Sequence, residues 1–159
     1  MSRFKQFAVM SAFVLAVVLA SPALAQTEDP VAQEIIALAK AEWAALNDNN
    51  VKEASKNWDN DYTEFNPTFA TRIDGKTQLV KLGEANNAAG DQGLFSEMGN
   101  PKVQVYGEVA ILSYNYMGVS KSSDGELKNT RAKSTRVYAR KAGKWMLVHA
   151  NFGADPLDD

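Results

Sequence analysis

Three side chains in this 159-residue sequence carry chemistry worth weighing: Arg136, Glu64 and His149. Arg136 stands in an alternating stretch, with Ser134, Tyr138 and Arg140 on its face and Val137 and Ala139 opposite. A guanidinium facing a cavity can fork onto a carboxylate, either that of a bound acid or that of Glu64. The competing reading is an exposed strand arginine, because arginine is rarely buried without a partner. Glu64 lies between aromatic residues in Tyr62-Thr63-Glu64-Phe65. A carboxylate held in an apolar cavity has a raised pKa and is readied for proton abstraction, with a tyrosine such as Tyr62, Tyr114 or Tyr116 as hydrogen-bond donor. Asp59 and Asp61 read as solvated turn residues instead. His149 is the single histidine. Histidine is the side chain suited to carrying protons at physiological pH, which makes it a candidate proton carrier. Catalysis requires an orienting partner, and no sequence neighbour supplies one, so a hydrogen-bonded structural histidine competes with that role. One histidine and no cysteine leave no metal-ligand spacing, and neither a metal nor another cofactor is expected.

The elements that must position these residues follow from periodicity. Asp29-Pro30 opens a helix over 30–47, with Val31, Ile35, Leu38, Glu42 and Leu46 on one face and Ile36, Ala39 and Trp43 beside it. Asn50-Val51-Lys52-Glu53 resembles a capping box and starts a short second helix ending by Trp58. Asp59-Asn60-Asp61 is expected to turn the chain into a strand at Tyr62–Phe65, stopped by Pro67. A third helix spans 76–84, and 86–93 reads as a mobile loop. Strand-like alternation follows to the end, with turns at Gly107-Glu108, at 120–125 and at the Gly143 hairpin. Trp43, Trp58, Tyr62, Phe65, Tyr138 and Trp145 are expected mainly as core aromatics, with Trp58 and Tyr62 flanking a corner near the cavity. Helices followed by consecutive hairpin strands predict an α+β fold: a cone-like curved antiparallel sheet wrapped on three N-terminal helices.

The N-terminus reads as a leader. Arg3 and Lys5 precede an apolar run, and Ala23 and Ala25 form an A-x-A site, so cleavage is expected before Gln26. The remaining 134 residues (26–159) form one domain with 15 basic against 19 acidic side chains. That balance excludes nucleic-acid binding, which needs a basic stripe, and no polybasic cluster points to a membrane once the leader is gone. An exported domain of this size without cysteine favours a bacterial periplasm over a eukaryotic secretory route.

The region from Trp43 through Tyr62–Phe65, Tyr106–Ala110, Thr135–Tyr138 and Gly143–His149 resembles the nuclear transport factor 2-like superfamily, in its polyketide cyclase-like and ketosteroid isomerase-like branch. Within it, Tyr62–Pro67, Thr135–Tyr138 and Lys144–His149 are similar to the association domain of calcium/calmodulin-dependent protein kinase II. The resemblance implies a cavity with arginines that hold an acidic small molecule, and a homodimer or larger ring formed through the sheet. Arg136 falls on one of those arginine positions. Tyr116 and Phe152 stand at two others, and Asn151 stands where the family has a second histidine. The expected ligand set is Arg136 for charge, with Tyr116, Tyr138, His149 and Asn151 orienting and Trp58 and Tyr62 lining the corner. Three functions stay open: a pocket protein binding a small, acidic molecule and self-associating; an isomerase, cyclase or dehydratase with Glu64 or His149 moving the proton; and a purely structural assembly domain.

Overall fold

The computed structural model describes residues 29–155; the expected leader lies outside them. Helix α1 is Pro30–Asn47, and its start follows from the sequence: Asp29 accepts a hydrogen bond from the Val31 amide at 2.9 Å, and Pro30 fills the first turn. Helix α2, Val51–Ala54, is capped by Asn50, whose Oδ1 accepts from the Glu53 amide, and it tightens into a 3₁₀ turn at Ser55–Asn57. Strands β1 (Trp58–Phe65) and β2 (Ile73–Asp74) precede helix α3 (Lys76–Ala89). Four long strands then follow: β3 (Gln92–Tyr106), β4 (Val109–Lys121), β5 (Leu127–Lys141) and β6 (Lys144–Ala154).

These strands form one curved, unclosed sheet in the order β2-β1-β6-β5-β4-β3. It is antiparallel except where β1 runs parallel to β6, a pairing that the expectation of a purely antiparallel sheet did not contain. The helices pack on the inner face. Ile35, Ala39 and Trp43 of α1 meet Leu112 and Tyr114 of β4, Tyr138 of β5, and Leu147 and Ala150 of β6. Leu112, Ile35 and Leu147 are almost fully buried, and each such side chain stabilises the fold by roughly 1.5–3 kcal/mol relative to exposure.

Strand register decides which residues face this interior. Leu112, Arg136 and Ala150 stand side by side across β4, β5 and β6, all buried. Their chain neighbours Ile111, Val137 and His149 stand side by side on the other face.

Three local expectations need correction. Asp59-Asn60-Asp61 is not a turn but part of β1, at an irregularity in its pairing with β6 between Trp58 and Thr63. Asp59 is held there by Lys141, 2.8 Å away, so Lys141 is not simply a solvated turn lysine. That bond and the Asp61 amide push the Asp59 carboxyl below the usual range. The segment 86–93 is not a loop: α3 runs on to Ala89, the Asn87 side chain donates to the Asn49 carbonyl, Gly90 ends the helix in the left-handed conformation, and β3 begins at Gln92.

Candidate functional site: a pocket floored by a buried ion pair

Between α1, α3 and the inner face of the sheet lies a pocket of about 400 Å³, open to solvent at one side. Its walls are aromatic, with Trp43, Trp58, Tyr114, Tyr116 and Phe152 contributing. Phe69, Leu79 and Leu82 extend the apolar lining toward α3 and the segment after β1. Volume and lining fall within the range of small-molecule sites.

The floor is polar and internally paired. Arg136 is 2% exposed. Its Nη1 donates to Glu42 Oε2 at 2.8 Å, and its Nε donates to the Tyr114 hydroxyl at 2.9 Å. Glu42 Oε2 also accepts from the Trp58 indole N–H at 3.0 Å. The guanidinium carbon sits 5.4 Å from the centre of the Phe152 ring and 5.8 Å from that of Trp43. Burial works against the charge on Arg136. Glu42 and the phenols of Tyr114 and Tyr138 outweigh it and hold the guanidinium firmly protonated.

Glu64 is a second polar centre lining the pocket. Its Oε2 accepts from the Tyr62 hydroxyl at 2.7 Å and its Oε1 from the Asn66 side-chain amide at 3.1 Å. Burial raises its pKa above the usual carboxylate range, although both hydrogen bonds pull the other way. Burial likewise pushes up the Tyr62 and Tyr114 hydroxyls. Ser134, also in the lining, is 3% exposed, and its hydroxyl has no hydrogen-bond partner among the described residues.

Of the residues singled out in the sequence, the fold brings Arg136, Tyr116, Trp58 and Glu64 to this pocket. Tyr62 lies behind Glu64, its ring against Trp58 at 5.5 Å. Tyr138 is buried under the floor and borders a separate space of about 10 Å³ beside Glu42 and Leu147, room for about one water. His149 and Asn151 are not in the pocket. Strand parity gives the inward positions to Ala150 and Phe152, and His149 and Asn151 fall on the outer face. There His149 Nδ1 and Thr63 Oγ1 share a 2.9 Å hydrogen bond, and Phe65 meets the imidazole edge-on. The expected contact of Arg136 with Glu64 is also replaced, since Glu42 takes the guanidinium.

Glu42 is the residue that sequence reading passed over. The signal was present: a single acid on the apolar stripe of α1, between Leu38 and Leu46. A charge at such a position requires a partner, and Arg136 on β5 supplies it.

The model of the calcium/calmodulin dependent protein kinase II association domain matches residues 31–156. The chain belongs to this family. Solved structures of similar fold include the association domain of the C. elegans kinase, with TM-score 0.62 and 20% identity, covering 77% of this chain and 94% of that one. The S. rosetta hub gives 0.64 and 22%, covering 77% and 95%. A nuclear transport factor 2-like protein of unknown function from Pseudomonas putida gives 0.65 and 20%, covering 79% and 87%. No curated protein matches. The fold is thus the cone of the nuclear transport factor 2-like proteins, as the sequence led one to expect.

Proposed function

We propose that this chain is an exported association domain that assembles with copies of itself and uses its cone as a small-molecule pocket. The pocket's polar floor carries this reading: a buried ion pair and an unpartnered serine hydroxyl lie at the base of an open aromatic hollow of about 400 Å³. A domain selected for assembly alone has no evident use for such a hollow; packing it shut would add stability. Export rests on the composition of residues 1–25.

Assembly is supported by the family and by the outer face of the sheet. Val109, Ile111, Val137 and Ala139 lie next to one another there, with Phe65 and His149 further along. Phe65 and Val109 are 47% and 37% exposed. Such a patch on a sheet face marks an interaction surface. Light scattering of the mature chain is expected to give a dimer or larger, and Val137→Asp to shift it to monomers with the fold intact by circular dichroism. A monomeric wild type would contradict the assembly.

A proton-transfer enzyme is the second reading, and Glu64 favours it: a buried carboxylate with a raised pKa faces the pocket. It predicts turnover of a carbon acid that falls sharply in Glu64→Gln. Binding without turnover in both proteins leaves the pocket purely a binding site.

A further inference from the structure

Arginine in a family cavity invites the expectation of an acidic ligand, yet here the charge of the guanidinium is already paired from within. Glu42 reaches Arg136 from α1 at 2.8 Å, and the two side chains are 10% and 3% exposed. The same carboxylate oxygen takes the Trp58 indole N–H, so three residues fix one arrangement. The Nε–H of Arg136 is directed to Tyr114 and not to the hollow. The remaining acid in the lining, Glu64, faces the pocket and forms no ion pair among the described residues, although Arg136 is close enough to act on it. A bound carboxylate would therefore meet a neutralised guanidinium and a second acid, and would lose its hydration for little return.

At its deep end the pocket offers uncharged groups; the other cation of the lining, Arg131, is exposed to solvent. The Ser134 hydroxyl is buried, makes no well-formed hydrogen bond among the described residues and faces Tyr114 across the β4–β5 pairing, two residues along β5 from Arg136 on the same face. The Tyr114 hydroxyl accepts from Arg136 and stands across the β4–β5 pairing from Ser134, so the two hydroxyls make one uncharged polar spot. Aromatic rings surround these two groups.

Taking the pocket reading as given, we propose that Glu42 is a built-in acid filling the place of an acidic ligand on Arg136, so that this chain binds an uncharged molecule with an apolar body and a hydrogen-bonding oxygen directed at Ser134 and Tyr114. Benzamide and benzoate test this directly, being nearly the same shape and differing in charge. Isothermal titration of the mature chain is expected to show benzamide binding about tenfold or more tighter than benzoate. Ser134→Val should weaken benzamide. Glu42→Gln, which frees the guanidinium and removes an acid, should reverse the preference. Benzoate binding to the wild type as tightly as benzamide, or tighter, overturns this inference and leaves the pocket reading standing. Neither probe binding to either protein overturns both. The wild-type comparison decides the point even if Glu42→Gln does not fold.

Discussion

At the floor of the pocket, Arg136 and Glu42 form a buried ion pair. Each side chain is charged and nearly out of water, so each is tolerable only with the other present. Glu42→Ala is expected to destabilise the fold by about 3–5 kcal/mol, measured by urea unfolding, because it strands a buried guanidinium. Arg136→Met combined with Glu42→Leu should cost far less than the sum of the two single changes. Additive single effects would mean that the pair is not coupled. Glu64 gives a prediction of different form. Its folded pKa is raised, so the folded state holds its proton more tightly than the unfolded chain does. Its contribution therefore falls as pH rises through the interval between the two values, and stability is higher on the acid side. Glu64→Gln removes this dependence, and the stability of the variant relative to wild type should improve as pH is raised from about 4 toward neutrality. An unchanged difference across that range would mean that Glu64 titrates normally.

At the scale of elements, the clearest sequence signals were those with a local cause. The bounds of α1 were readable because Asp29 and Pro30 open it and the Asn-rich break closes it. The alternation around Arg136 correctly placed Ser134 and Tyr138 on its face, since that depends only on strand period. What depended on pairing was not readable. His149 and Asn151 were assigned to the pocket because nothing in β6 alone says which parity faces inward; the register against β5 decides it. The Asp59–Asp61 stretch looked like a turn because its polar residues are tolerated where the β1–β6 pairing is irregular. Another tertiary demand appears at Gly118. The Tyr116 ring folds back over this glycine while its hydroxyl meets Ser96 at 3.1 Å, and a methyl group at residue 118 would collide with the phenol. Gly118→Ala should therefore push Tyr116 off its seat and cost about 1–3 kcal/mol, seen as a lower urea midpoint. A neutral effect would show that Tyr116 has another place to go.

For the whole molecule, one curved sheet separates two tasks. Its inner face, with the helices, makes the core and the pocket; its outer face carries an apolar patch suited to another copy. The architecture was legible in outline from the order of helices and strands, and the resemblance to association domains held. The pocket's charge balance was not legible, because it joins residues 94 positions apart in the chain. The three tryptophans provide a built-in reporter for that pocket. Trp43 and Trp58 line it, whereas Trp145 is buried elsewhere and lies under Arg140. The most direct measurement is a titration of ¹⁵N-labelled protein, residues 26–159, with benzamide, following the three indole N–H signals. The Trp43 and Trp58 signals should move with saturation while Trp145 stays in place. Three unmoved signals, or a Trp145 shift as large as the others, would contradict a binding pocket above the Arg136–Glu42 pair.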